Sequence, residues 1–473
     1  MRTKLNIFSE FARSLFPHEL EYLMSVQSFN KSINITILNQ IYNNNTSSKP
    51  PKDFDIEVDK RTYSYLKNWI TETLLKIDVD YFFEWLIATE KKVLTDVIIP
   101  ADETEILSNM HKMSSTNYNF IRFYELLLYY RDYLMVRNRT KYIKIVMEFL
   151  ESHREQYFHL KDINNQLDTV TAEIVKKTKL TIEEQNNSEQ FLSQIYYNET
   201  LDAYTRYRAV VRLTIFYYNN RQFDKQLIVY HHLDDLLKTP LFYSKRILSN
   251  YYANRAMMHS KLNEAHLAEK YGHLSLQNKN SDYLFYLLNL CSVLIKQGKN
   301  AETLEIMRKS IPELKNTNNN YYKIGFVSFY MRTLVINKQV DKAVQYASQY
   351  FEAYKKEIFE FRWHLFLSSY FYVLLQAEIY NKIIFITKRY KLLQLEKKNV
   401  FHVEYLPVIE FYFYIAEFME GHINKEKLVA DFVKLTQPLL ADSYRSRKIV
   451  ELLDEFLPHI PEEMKAVKKE LQL

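Results

Sequence analysis

Glycine is nearly absent from this chain. Gly272, Gly298, Gly325 and Gly421 are the only four in 473 residues, against roughly 33 at the usual frequency of about 7%. A phosphate cradle of the P-loop or dinucleotide-binding kind needs at least two glycines close together, so that backbone N–H groups can wrap an anion. The closest two here, Gly272 and Gly298, lie too far apart for that, and both classes of nucleotide site are excluded. Tight β-turns, which draw on glycine for left-handed backbone, must also be few.

Cysteine is scarcer still. The single Cys291 permits neither an intramolecular disulfide nor a cysteine zinc site. Within Leu287-Leu-Asn-Leu-Cys291-Ser-Val-Leu294 it reads as a small core hydrophobe rather than a nucleophile. No run of about 18 uncharged apolar residues occurs, so no membrane-spanning helix is expected. At the amino terminus Glu10 and Arg13 stand where the apolar stretch of a secretory leader would have to run, which points to a cytoplasmic protein. His18-Glu-Leu-Glu-Tyr22 begins like a zinc-protease helix and fails at its second histidine, and no Gly-x-Ser-x-Gly elbow is present. No enzymatic activity, cofactor or metal is expected.

What is present suits a folded, soluble chain: 47% of residues are hydrophobic and 25% charged, enough apolar material for a sizeable core. The net charge of +6 is unevenly placed. Residues 1–115 carry 13 Lys and Arg against 16 Asp and Glu, so the basic excess belongs to the remainder. Basic clusters such as Lys388-Arg-Tyr-Lys391 and Arg445-Ser-Arg-Lys448 read first as solvated helix faces.

The strongest pattern is a recurrence. Short polar breaks between apolar, aromatic-rich helical stretches fall at Arg221-Gln-Phe-Asp224, Lys261-Leu-Asn-Glu264, Lys299-Asn-Ala-Glu302, Lys338-Gln-Val-Asp341, Glu378-Ile-Tyr-Asn381 and His422-Ile-Asn-Lys425. The period is about 39 residues, in the range of helix-pair repeats. One such pair cannot bury its apolar face alone, so neighbours must stack. The expected fold is all-α: a right-handed α-solenoid of helix pairs over residues 116–473, behind a small helical region at 1–115.

Within the amino-terminal region, one or two helices are expected in residues 1–43, an exposed linker at 43–51, and helices at 60–76 and 81–94. Asp78-Val-Asp80 is the expected cap of the last of these, and Pro100-Ala-Asp-Glu-Thr104 is expected to close the region. Helices at 118–136 and 141–151 follow. Leu160, Ile163, Leu167, Val170 and Ile174 then form a 3-4 stripe too short for a free coiled coil. Thr181–Ser188 is polar enough to read as a loop.

Inside the repeats the spacing of small residues resembles the tetratricopeptide repeat, which places a small residue mid-way along its first helix and an alanine early in its second. Ala253 with Ala265, and Cys291 with Thr303, match that pairing, and Gly298 stands where the family has its inter-helix glycine. Small side chains there let the two helices of a pair approach closely. Val340-Asp-Lys-Ala343-Val-Gln-Tyr-Ala347 matches a second helix, but faces the larger Met331. Thr214 with Gln226, and Tyr370 with Lys382, depart from the pattern, and the units exceed the family's usual length of about 34. The resemblance covers residues 201–440; residues 117–200 are compatible with it. It implies a protein or peptide bound on a concave face lined by first helices. The inward positions it implies are Asn254, Ser292 and Arg332, with Asn250 and Ser328 one turn earlier.

Two clusters compete for attention. His231-His-Leu-Asp-Asp235 could offer His231 and Asp235 from one helix face, but two ligands do not make a metal site. His259, His266 and His273 recur every seven residues across a polar break, which spoils a shared face. The 39 Tyr, 30 Phe and 3 Trp invite a base-stacking platform, yet pairs such as Tyr217-Tyr218, Tyr251-Tyr252, Tyr321-Tyr322 and Phe371-Tyr372 fall at helix-packing positions. The function expected is that of a non-enzymatic scaffold or adaptor for a protein or peptide. An RNA-binding helical-repeat protein is the alternative, and a peptide-responsive regulatory sensor with residues 1–115 as effector module is a third.

Overall fold

The computed structural model describes residues 5–47, 50–176, 181–398 and 405–473. Among the described residues the chain is helical with no strand. It divides into two compact units, 1–280 and 281–473.

The first unit contains α1 (Asn6–Arg13), α2 (Pro17–Val26), α3 (Ser32–Thr46), α4 (Lys60–Leu75), α5 (Val79–Leu94), α6 (Pro100–Lys112) and α7 (Phe120–Val136). It continues through α8 (Thr140–Ser152), α9 (Arg154–Lys176), α10 (Ile182–Tyr197), α11 (Ala203–Asn219), α12 (Phe223–Leu237), α13 (Lys245–Lys261) and α14 (Ala265–Ser275). The second contains α15 (Tyr283–Lys296), α16 (Asn300–Lys309), α17 (Ile311–Asn316), α18 (Asn320–Ile336), α19 (Val340–Ala353), α20 (Lys355–Phe361) and α21 (Trp363–Gln376). There follow α22 (Tyr380–Arg389), α23 (Leu392–Lys397), α24 (Val408–Met419), α25 (Lys425–Thr436), α26 (Ser443–Phe456) and α27 (Pro461–Glu470).

The polar breaks are helix-to-helix turns built around one left-handed residue: Arg221, Asn263, Gly298, Lys338, Glu378 and Gly421, with φ between 57° and 75°. The next residue's N–H donates to the carbonyl five positions back in each, from Gln222 to Tyr217 (2.9 Å) through His422 to Glu417 (2.8 Å). This bond satisfies a carbonyl that the end of the helix would otherwise leave open. The same turn occurs at Asp96 and Asn138, outside the region that carried the repeat pattern. Several first helices of the pairs start instead at a capping side chain: Asp78 before α5, Asp202 before α11, Ser244 before α13 and Asn319 before α18.

Five residues beyond the left-handed position the side chain is buried in five of the pairs, as Gln226, Ala268, Thr303, Ala343 and Ile383. Ala265, expected to make the close approach in its pair, is exposed, and Ala268 occupies that place. Where the small-residue pattern fails, side chains bond across the pair. Gln226 Nε2 donates to the Thr214 carbonyl (3.0 Å), and the Lys382 ammonium lies 5.6 Å over the Tyr370 ring.

The aromatic residues lie mostly in the cores or packed against them. Tyr130, Tyr196, Tyr252, Tyr370 and Tyr412 are fully buried, and each hydroxyl meets a polar partner: Glu103, His232, His18, Ser348 and Glu455 respectively. Tyr321 is exposed, with the Arg362 guanidinium 4.1 Å above its ring.

Several local expectations are corrected. Residues 6–46 form three helices. Pro100 opens α6 rather than closing a region, because proline at the first helical position loses no hydrogen bond, and Asp102 accepts the Ile99 N–H (3.1 Å). Residues 182–188 belong to α10, and Thr181 is its cap, in a reciprocal arrangement in which Thr181 and Glu184 bond each other's backbone N–H. The linker around 43–51 is anchored where described, Asn45 donating to the Ala12 carbonyl (3.0 Å) and Asn44 to that of Lys52 (2.9 Å); Ser48 and Lys49 lie outside the described residues. The stripe on α9 packs between α7 and α11. The 115/116 boundary falls inside the first unit. Val79 N–H donates to the Tyr243 carbonyl (3.0 Å), Ala203 N–H to that of Thr116 (3.0 Å), and Arg246 pairs with Asp80 (2.7 Å).

The turns set a test of backbone strain. A left-handed non-glycine residue costs about 1–2 kcal/mol, part of which glycine returns as unfolded-state entropy. Lys338→Gly is expected to stabilise the chain by about 0.5 kcal/mol. Gly298→Ala, where a Cβ meets nothing within 4 Å, is expected to destabilise it by about 1 kcal/mol. Thermal or urea unfolding checks both, and shifts of the opposite sign would contradict the assignment.

Candidate functional site

In the first unit, polar side chains run from one first helix to the next. Glu90 on α5 pairs with Arg122 on α7 (3.1 Å), which also holds Glu125 (2.6 Å), and Glu125 takes Lys161 from α9 (3.0 Å). Further along α9, Asn164 and Asp168 accept from Arg208 on α11, and Thr171 from Arg212. Asp168 lies 3.6 Å from Arg212 as well. Burial and the neighbouring Arg208 hold the Arg212 guanidinium below its usual pKa. The arginines are 16% and 14% exposed and Asp168 is 63% exposed, so the carboxylate is the more accessible member of this group.

Asn250 and Asn254 on α13 are half-buried; Asn254 donates to the Asn250 side chain (3.0 Å). Both line a cavity of about 10 Å³ together with Tyr207, Val211 and Thr214 of α11. That volume is far below the several hundred Å³ of a small-molecule site. They adjoin the face that carries Arg208 and Arg212, and are reachable only in part.

The second unit stacks α15, α18, α21 and α24 in succession. Ser292 on α15 is half-buried. Ser328 on α18 is fully buried and donates to the Ile324 carbonyl (2.7 Å), so it does not reach a partner-facing surface. The reason is that α18 is covered on several sides: Ile324, Phe326, Val327 and Met331 are also fully buried. A Cβ at Gly325 would stand 2.6 Å from Arg362 Nη1, at the mobile end of that side chain, and 3.1 Å from Leu288 Cδ1. Arg332 is engaged within the chain, its Nη2 2.5 Å from Glu455 Oε2 on α26 and its guanidinium 4.4 Å over Tyr372.

The histidine cluster holds a different arrangement from the one its spacing suggests. His231 is exposed and Asp235 pairs with Lys238 (3.2 Å). Asp234 between them is the centre of a partly buried network. It accepts from His18 on α2 (3.1 Å), Lys238 (3.0 Å) and the Tyr251 hydroxyl, with Arg255 3.6 Å away. His18 Nδ1 bonds Tyr252 (2.6 Å), and Arg255 reaches the Tyr251 hydroxyl (2.9 Å). Burial alone would raise the Asp234 carboxyl, but His18, Tyr251 and Lys238 hold it well below the usual carboxylate range. His259 is buried against Tyr271 and bonded to Glu264 (2.5 Å), whereas His266 and His273 are exposed, so the three share no face. Cys291 is fully buried, which pushes its thiol up to about 12. Sequence reading missed Asp234 and Glu455 because their partners, His18 and Arg332, lie more than a hundred residues away.

Comparison with protein-family models, with curated proteins and with solved structures returned no match.

Asp234 carries a pH signature. Asp234→Asn is expected to cost about 1–2 kcal/mol at neutral pH, since charged hydrogen bonds are lost in a partly buried setting. The folded carboxyl titrates below its unfolded value of about 3.9, so its stabilisation is complete above that value and is lost as pH falls below it. Denaturation of wild type and variant between about pH 7 and pH 3 should show the difference shrinking at the acid end. A constant difference would contradict the network's role.

Proposed function

We propose that the chain is a right-handed solenoid of tetratricopeptide-like helix pairs and acts as a non-enzymatic scaffold or adaptor that binds a protein or peptide through its first-helix faces. The observation that carries this reading is the alternation of sign from Glu90 through Arg122, Glu125 and Lys161 to Asp168 and Arg208. A face of that kind complements a polypeptide of mixed charge, whereas a phosphate backbone calls for a run of cations. Reading residues 1–115 as a separate effector module draws no support from the packing of α2 and α5 within the first unit.

The test is affinity capture from lysate of the chain's own host, with and without RNase, comparing wild type with an Arg122→Glu/Lys161→Glu double variant whose helix content is verified. Proteins that persist after RNase and fall at least tenfold with the variant are expected. Abundant bound RNA, with proteins vanishing after RNase, would overturn the reading in favour of RNA binding.

A further inference from the structure

Helix α5 is apolar on two sides. Its inner side is filled: Val79, Leu86, Thr89 and Val93 are buried, and Phe82 and Trp85 pack on each other and on Phe123 of α7. Its outer side still carries Phe83, Ile87 and Leu94, exposed at 37%, 49% and 58%. Their i, i+4, i+11 spacing lines them up along the helix. Val97 and Ile99, just past the helix end, are exposed as well. A helix whose outer side faces water carries polar residues there, and an apolar stripe left open is the mark of a contact surface.

Two charges flank the stripe. Of the charged residues on α5, Asp80 pairs with Arg246 (2.7 Å), Glu90 with Arg122 (3.1 Å) and Lys92 with Asp102 (2.7 Å). Glu84 and Lys91 are exposed, and among the described residues neither side chain has an ion-pair partner. They share the side of the helix that holds the stripe: at 3.6 residues per turn, Phe83, Glu84, Ile87, Lys91 and Leu94 fall within an arc of about 100°. Seven positions separate the two charges, about 10 Å along the axis, so they do not pair with each other. Their midpoint lies between Ile87 and Ala88.

That arrangement is self-complementary. A second α5 laid antiparallel on the first, with a two-fold axis through the midpoint, sets each Glu84 against the other copy's Lys91 and one apolar stripe against the other. A parallel pairing would set like charges together. An unrelated protein would have to match both charges at this spacing, whereas a second copy supplies them by symmetry. A lipid surface is disfavoured by Glu84, since a carboxylate resists burial in an apolar phase without a partner.

We infer that α5 is a dimerisation face on which a second copy of this chain docks antiparallel, along Phe83, Ile87 and Leu94, in a register fixed by two Glu84–Lys91 pairs. The stripe is already exposed, so no element of the fold has to move for the second copy to reach it. Burial of the stripe supplies the affinity, and the charges supply orientation and choice of partner. A dimer through α5 holds or fails irrespective of what the row from Glu90 to Arg208 binds.

Sedimentation velocity of the full-length protein, from nanomolar to high micromolar concentration, is the test. Wild type is expected to pass from monomer to dimer. Glu84→Lys and Lys91→Glu each bring like charges together in the homodimer, and each is expected to weaken it at least tenfold. An equimolar mixture of these two variants re-forms both pairs in the heterodimer and should associate within about threefold of wild type. Recovery on mixing two weakened proteins has no explanation in misfolding of either. A wild type that is monomeric throughout would overturn the inference, whether the stripe then takes a different protein or a lipid vesicle. A dimer indifferent to the single substitutions, or a mixture that stays as weak as its components, would overturn it equally.

Discussion

Each helix pair turns on a single left-handed residue. That position lets the chain reverse within three or four residues, and the bond to the carbonyl five positions back fixes where the second helix starts. Glycine would fill it without strain, yet the chain places Arg221, Lys338 and Glu378 there as well as Gly298 and Gly421. A cost of about 1–2 kcal/mol per non-glycine turn persists only where packing of the pair over-determines the geometry. Burial of the side chain five residues later, as at Ala268, Thr303 and Ala343, supplies part of that packing.

The cores make extensive use of tyrosine, which has a consequence for polarity. A buried phenol needs a hydrogen-bond partner, so the apolar interior carries acids and histidines with it. Tyr243 donates to Glu19 (2.6 Å), whose carboxyl burial pushes upward, while Tyr251 and Tyr252 serve Asp234 and His18. In the second unit Glu396 is fully buried, accepting the N–H groups of Ile409 and Glu410 at the start of α24 (3.1 and 2.9 Å) and bonding His364 (2.7 Å). These clusters tie helices that are distant in sequence to one another.

Much of the local architecture was legible in the sequence, because polarity and period act over short range. The breaks at 221, 338 and 378 are turns, Asp78 caps α5, and Cys291 is core. Where local polarity was the guide, it misled: the first turns of α10 are polar because they are exposed, while Leu192, Ile195 and Tyr196 further along are buried, and its Thr181-x-x-Glu184 cap was the available signal. Pro100 was likewise a start signal read as a stop. The candidate site was less legible. Asn250, Asn254 and Ser292 are half-buried, Ser328 is wholly inside, and Arg332 is held by a residue 123 positions away. No spacing rule reaches that far, and the pattern Ile449, Leu453, Phe456 shows an amphipathic helix without showing what it sits on.

Whether partners meet the first-helix faces is tested most directly by site-specific photo-crosslinking in host cells, with a benzophenone side chain placed at Tyr129 or Ile215 on first helices, or at Met147 or Ile228 on second helices. All four positions are exposed, between 42% and 65%, so accessibility alone would not separate them. Protein adducts are predicted from Tyr129 and Ile215 and none from Met147 and Ile228. Adducts arising chiefly from the second helices, or adducts to RNA, would contradict binding through the first-helix faces.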